Sequence, residues 1–161
     1  MELSICIPTY NRGKHINNCL NSILINQLNN DFEIIISDNG STDNTEYVVS
    51  EYIDKLPIKY FKNIENIGIP RNFINAVSKA NGKFIWLLGD DDLLLKDSIE
   101  SILLLINSHN DVDFFFVNTF HCDTDYIFQY EQPFDTKLLP NDLEKFSKYN
   151  INKTVNFLDL I

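Results

Sequence analysis

Glycine and basic side chains are scarce in this chain. Among 161 residues there are five glycines, and none of them falls into G-x-G-x-x-G or G-x-x-x-x-G-K spacing. The dinucleotide crossover and the P-loop therefore lack the backbone that defines them, and any bound phosphate must be neutralised by something other than a glycine cradle. Thirteen Lys and Arg against 23 Asp and Glu leave a net charge of −10. That balance disfavours nonspecific attachment to nucleic acid or anionic lipid, so nucleic acid is not expected as a partner and an anionic ligand must find local cations. The three cysteines, Cys6, Cys19 and Cys122, are odd in number and share no metal-ligand spacing with the three histidines. A disulfide framework and a zinc site are both unsupported, and the thiols read as reduced and buried, in a cytosolic protein. No apolar run reaches the length of a membrane span, since Asp, Asn or Gly interrupts each one. The opening Met1-Glu2-Leu3-Ser4-Ile5-Cys6-Ile7-Pro8 is acidic and too short in its apolar part for a secretory leader. The expected location is the cytoplasm, and peripheral attachment at the cytoplasmic membrane stays open.

What is present is an ordinary globular composition, 44% hydrophobic and 22% charged, enough for one domain with a real core. Leu3 to Ile7 reads as a first strand. A helix follows, with Ile16, Leu20, Ile23, Leu24 and Leu28 on one face. Phe32 to Ile36 is a second strand; Asp43 with Glu46 marks a helix start, and that helix is expected to run to about Asp54. Ile58 to Phe61 is a third strand. Pro70 suits a helix start and Gly82 its end, with Phe73, Ile74, Val77 and Ala80 as the expected buried face. Phe84 to Leu88 is a fourth strand, Asp97 to Asn107 a helix and Asp113 to Asn118 a fifth strand. Beyond His121 the pattern weakens to a short strand at Tyr126 to Tyr130 and short helices at Leu143 to Phe146 and Thr154 to Leu160. Alternating strands and helices predict an α/β fold, a mainly parallel, Rossmann-like sheet with helices on both faces and right-handed crossovers.

Open α/β sheets bind ligands outside the carboxyl ends of their strands. Those ends carry Pro8-Thr9-Tyr10-Asn11-Arg12, Ser37-Asp38-Asn39-Gly40-Ser41 and Gly89-Asp90-Asp91-Asp92. Three successive carboxylates at one strand end repel each other unless a cation joins them. Hard divalent ions take oxygen ligands, a few carboxylates plus substrate phosphates, so Mg²⁺ or Mn²⁺ with a phosphorylated ligand is the functional reading. A solvated acidic turn leading into the next helix is the structural one. Asp38 is readable as an acceptor for the imide N–H of a uracil or thymine, or equally as closing an Asx-type turn in Asp-Asn-Gly-Ser-Thr-Asp. Tyr10 suits stacking on a base or ribose, or rim packing. Arg71 lies near a helix start, where a cation is mildly unfavourable and asks for an anionic partner, and it suits a diphosphate. Arg12 and Lys14 are readable as solvated charges at a helix start.

Taken together, these segments resemble the family 2 glycosyltransferases of GT-A fold across roughly residues 3–120. The matching stretches are Ile5-Cys6-Ile7-Pro8-Thr9-Tyr10-Asn11-Arg12, Phe32 to Asp43, Asn66-Ile67-Gly68 with Arg71-Asn72, and Gly82-Lys83-Phe84 running into Gly89-Asp90-Asp91-Asp92. The resemblance implies transfer of a sugar from a nucleoside diphosphate donor, UDP favoured, to an acceptor hydroxyl of a glycan or glycolipid, with inversion and a divalent metal. It implies nucleotide binding by Pro8, Thr9, Tyr10, Arg12, Asp38, Arg71, Asp90 and Asp91, and metal binding by Asp92 and Asp90. Many relatives carry Asp-x-Asp-Asp where this chain has Gly89, a pattern closer to abequosyltransferase-like members, so all three aspartates are kept. The family's acidic general base is expected beyond residue 161. The domain reading is accordingly one domain over 1–161, a nucleotide-sugar-binding half over 1–120 and the truncated start of an acceptor half over 121–161. A noncatalytic nucleotide-sugar-binding module lacking the base is the alternative.

Overall fold

A computed structural model describes residues 1–26, 31–115, 117, 119–122 and 128–132, which fall in two compact units, 1–106 and 107–161. In the first unit four strands, β1 (Leu3–Thr9), β2 (Phe32–Asp38), β3 (Ile58–Lys62) and β4 (Phe84–Leu87), form a wholly parallel sheet in the order β3-β2-β1-β4. β1 and β2 are buried at every position, as near-continuous apolar strands covered on both faces must be. Their register sets Thr9 beside Asp38.

Four helices accompany the sheet: α1 (Gly13–Ile25), α2 (Thr45–Ser50), α3 (Ile69–Ser78) and α4 (Ser98–Ser108). The chain steps from β1 to β2 to β3 in one direction and then returns to β4 on the far side of β1. With right-handed crossovers that reversal puts α1 and α2 on one face and α3 on the other. It also makes the gap between β1 and β4 the switch point at which the strand order reverses, and the chain after β4 runs back along α1, where the Leu94 amide donates to Ser22 Oγ (3.0 Å) and the Ser98 amide to Asn26 Oδ1 (2.9 Å).

The element order agrees with the sequence reading through α4, and several details differ. α2 begins at Thr45 rather than Asp43, because the Asp43 carboxylate accepts the amide of Thr45 (3.0 Å) and that of Gly13 at the start of α1 (3.1 Å), capping from outside both helices. It ends at Ser50, where i to i+3 bonds such as Glu51 N–H to Val48 (3.2 Å) tighten the chain into turns. The buried face of α3 is Asn72 and Ala76; Phe73 and Ile74 are exposed. Asn72 is drawn in by paired bonds with Ser37, and the small Ala76 lets the helix approach Cys6 and Ile35 closely. Leu28 lies outside the described residues.

Of the strand expected over Asp113 to Asn118, the described residues 113–115 and 117 are in no strand. In the second unit β5 (Thr119–Cys122) pairs antiparallel with β6 (Phe128–Gln132), with a register shift between His121 and Cys122. The apolar residues Phe114 and Phe115 do not make a strand by themselves, since a strand needs a partner backbone, and the pairing observed is at 119–122; Phe114 is exposed. The helices expected at Leu143 to Phe146 and Thr154 to Leu160 lie outside the described residues. Among the described residues no helix is long and apolar enough to cross a membrane.

Candidate functional site

The acidic triplet has its cation, and it comes from the protein. One terminal guanidinium nitrogen of Arg12, on the loop after β1, donates to Asp90 Oδ1 at 2.8 Å and to Asp91 Oδ2 at 2.7 Å. The second Asp90 oxygen accepts the Thr9 hydroxyl at 2.7 Å, and the Asp90 side chain is buried. The loop after β1 is thereby joined to the loop after β4 across the switch point. Burial alone would push Asp91 up, but its hydrogen bond to Arg12 and the charge of that guanidinium outweigh burial and hold it below the usual carboxylate range. Arg12 is held all the more firmly in its charged form, by its hydrogen bonds to Asp90 and then Asp91. Asp92 faces solvent and uses Oδ2 to accept the Gly89 amide at 3.0 Å, closing the turn that begins the triplet.

A second set of bonds joins the loop after β1 to the loop after β2. Asn11 adopts a left-handed backbone, φ 53°, which Asn tolerates better than most residues. Its side-chain oxygen accepts the amides of Thr42 (2.8 Å) and Asp43 (3.3 Å), while its own amide donates to Ser41 Oγ (2.8 Å). The Arg12 amide donates to Thr45 Oγ1 at 3.1 Å. The backbone that presents Arg12 is therefore fixed before any ligand arrives.

Asp38 is fully buried at the end of β2. One oxygen accepts the Ser41 amide, three residues on, at 2.7 Å and the other accepts the Tyr60 hydroxyl from β3, so Asp38 closes the turn after β2 one residue wider than an Asx turn. Burial first, and then the bond to Asp38, push the Tyr60 hydroxyl well above its ordinary pKa. Pro8 is buried within β1 opposite Ser37 and shapes the strand end, whereas Tyr10 presents an exposed ring at the rim.

Arg71 is exposed in the first turn of α3, behind Gly68 at φ 86°, and makes no ion pair or hydrogen bond among the described residues. The helix start that carries it is anchored by an amide network absent from the sequence reading. Asn72 exchanges bonds of 2.8 Å with Ser37, Asn63 donates to Asn72 (3.0 Å) and Asn39 (3.2 Å), Asn75 donates to Asn63 (2.9 Å), and Asn39 donates to Asn66 (2.9 Å). Asn39 also accepts the Ile67 amide at 2.9 Å. Asn72 and Asn75, poor helix formers three residues apart inside a helical pattern, were the available signal that side-chain partners await them.

A divalent ion can be weighed against these contacts. The acids offer carboxylate oxygens only, the donor type that Mg²⁺ and Mn²⁺ prefer. Among the described residues no group of three or more His, Cys, Asp or Glu side chains is placed to hold a metal. Both oxygens of Asp90 are taken by Thr9 and Arg12 and one oxygen of Asp91 is on Arg12, which leaves exposed Asp92, untouched by Arg12, as the fitting ligand. One carboxylate, with water and substrate phosphate completing the shell, is the manner in which Mg²⁺ is commonly held.

With that geometry in place, the chain can be set beside known proteins. A sequence profile of Glycosyl transferase family 2 matches residues 4–157. Abequosyltransferase RfbV of Salmonella typhimurium is 44% identical over 115 residues, 70% of this chain and 34% of that protein. Poly(ribitol-phosphate) beta-N-acetylglucosaminyltransferase TarS of Staphylococcus aureus is 32% identical over 114 residues, 68% of this chain and 20% of that one. Crystal structures of S. aureus TarS with UDP and with UDP-GlcNAc superpose at TM-score 0.65 with 31% identity, covering 68% of this chain and 33% and 32% of theirs. The fold is therefore GT-A, the α/β class expected from the strand and helix order. The chain belongs to glycosyl transferase family 2. It spans about a third of the length of the abequosyltransferase and a fifth of TarS.

Proposed function

We propose that this chain is the donor-binding part of a glycosyltransferase that moves a sugar from a UDP-sugar to a hydroxyl of a glycan or glycolipid, with inversion and the help of Mn²⁺ or Mg²⁺. The observation that carries the reading is the meeting of Thr9, Arg12 and the Asp90–Asp92 triplet at the β1/β4 switch point, beside the Asp38 turn. The UDP and UDP-GlcNAc complexes of TarS support a uridine donor.

In this reading the nucleoside lies over the loops after β1 and β2, with the exposed ring of Tyr10 stacking on base or ribose. The turn that Asp38 holds with Ser41 shapes the base pocket, and contact between Asp38 and an imide N–H requires the residues over it to move aside. Arg71, without a carboxylate partner among the described residues, receives the diphosphate as a planar, permanently charged donor. Asp92 is the residue that would hold a divalent ion, and Asp90 and Asp91 fix Arg12 beside it. When bound, such an ion supplies Lewis-acid stabilisation of the charge on the departing diphosphate. The acceptor oxygen attacks the anomeric carbon from the face opposite the diphosphate. The C–O bond to phosphate breaks, and the hydroxyl proton passes to a base expected beyond residue 161. A cytoplasmic location, with peripheral attachment at the membrane, belongs to the same proposal.

Calorimetric titration of UDP, CDP, GDP and dTDP, each with Mn²⁺ and again with EDTA, tests it. Saturable UDP binding that requires Mn²⁺ and falls about tenfold or more in Asp92→Asn is expected, which corresponds to at least about 1.4 kcal/mol. Absence of binding by all four nucleotides would sink the proposal.

A further inference from the structure

We infer that Arg12 is a resident counter-cation that withholds Asp90 and Asp91 from a free divalent ion, so that the ion is taken up together with the donor's diphosphate and not before it. The inference rests on the reading of this edge as the diphosphate and metal site. A bare triplet of carboxylates would attract a divalent cation on its own. Here one nitrogen of Arg12 spans two of the three carboxylates at 2.8 and 2.7 Å, and the Thr9 hydroxyl takes the remaining oxygen of Asp90. The guanidinium stays charged at every working pH, so solution conditions do not relieve the competition.

The arm is also held in place. Its amide is fixed on Thr45 Oγ1, and the preceding Asn11 is bonded to Ser41, Thr42 and Asp43. An ion arriving alone meets Asp92, which Arg12 does not touch, an exposed Asp91 already paired through Oδ2 with Arg12, and the positive charge of that guanidinium. A diphosphate brings oxygen ligands and negative charge, which complete the ion's shell and give Arg12 a second anionic partner. Metal and nucleotide are then coupled, and the coupling is reciprocal: whatever factor UDP adds to Mn²⁺ affinity, Mn²⁺ adds to UDP affinity.

The alternative role for Arg12 is a staple between two loops. Loss of a staple weakens both ligands or the fold, whereas loss of a counter-cation strengthens binding of the bare ion. Mn²⁺ binding, followed by the paramagnetic resonance signal of free Mn²⁺, separates the two when measured with and without UDP in the 161-residue chain and its Arg12→Met and Asp92→Asn variants. In the parent chain UDP should tighten Mn²⁺ about tenfold or more, within the usual range of coupling between sites. Arg12→Met should bind Mn²⁺ alone about tenfold more tightly than the parent and show a smaller UDP enhancement; Asp92→Asn should lose the ion in both conditions. If Arg12→Met binds bare Mn²⁺ no better than a parent chain that still takes up Mn²⁺ with UDP, the inference fails and the donor-site reading survives. A parent chain that binds neither UDP nor Mn²⁺ with UDP overturns both. Should circular dichroism show Arg12→Met unfolded, Arg12→Gln removes the charge while keeping a hydrogen-bond donor, and the same rise in bare-ion affinity is required of it.

Discussion

At Asp38, a carboxylate with no exposure to solvent depends on two donors, the Ser41 amide and the Tyr60 hydroxyl. Removing the acceptor leaves both donors short of a partner in a buried place, at about 1–3 kcal/mol for each unsatisfied group. Asp38→Ala should therefore lower stability by about 2 kcal/mol or more. Asp38→Asn should cost less, because an amide can accept from Ser41 and donate to the Tyr60 oxygen. Urea unfolding midpoints of the two variants check the order, and equal losses would sink the account. Two readings of Asp38, base acceptor or turn closer, were available from Ser-Asp-Asn-Gly-Ser, and the structure displays the second. Arg12 was legible as a candidate but its partners were not. It meets Asp90 and Asp91 across 78 and 79 residues, and no local pattern encodes a contact at that separation.

Among the elements, α3 shows where periodicity succeeds and where it misleads. Its position between β3 and β4 was evident from Pro70, Gly82 and the apolar spacing, yet the face it buries was not. Counting apolar side chains favours Phe73 and Ile74; the helix instead turns Asn72 and Ala76 inward, because Ser37 offers Asn72 a pair of hydrogen bonds and Ala76 permits close contact with the sheet. The Cys6 thiol, pushed up to about 11 by burial and then by the charge of Glu33, donates to the Ala76 carbonyl at 3.7 Å. Ala76→Leu should consequently force side chains against Cys6, Ile35 and Phe61 and cost about 1–3 kcal/mol by overpacking. Ile74→Gln, at a position 69% exposed, should stay within about 0.5 kcal/mol of the parent. Thermal unfolding of both variants checks the contrast, and the reverse ranking would restore the face expected from periodicity. The misplaced strand at 113–118 has the same origin, an apolar run taken as a substitute for a pairing partner.

Across the whole first unit, the parallel sheet gathers acids at both ends, and the two ends do different work. At the carboxyl end Asp38 and Asp90 are buried against the loops, while Asp91 and Asp92 reach solvent. At the opposite end Glu33, second residue of β2, is buried with a full set of partners: Ser4 Oγ donates at 2.7 Å, Lys59 Nζ at 2.7 Å and the Asn81 amide at 2.7 Å. Gly82 completes this knot by donating its amide to Ser4 Oγ at 2.8 Å, and a Cβ there would lie 2.5 Å from the Ser4 nitrogen. Nothing in the sequence singles out Glu33, because a buried carboxylate is intelligible only with its three partners from β1, β3 and the turn before β4. Burial pushes its pKa up, but the hydrogen bonds of Lys59, Ser4 and Asn81 outweigh that and bring it down to about 2. An unfolded Glu titrates near about 4.3, so between that value and the folded one the unfolded chain binds more protons and stability rises with pH. The contribution of Glu33 is complete above the unfolded value and is lost as pH falls through the folded one. Urea midpoints taken from pH 7 down to pH 2 should decline most steeply below about pH 5. Glu33→Gln should be less stable at pH 7 and should decline less over that acidic interval, because its side chain has no proton to take up. Parallel curves for the two chains would show that the acid sensitivity arises at other carboxylates, such as Asp43 and Asp91, whose pKa values are also lowered, against burial, by hydrogen bonds to Thr45 and Gly13 and to Arg12.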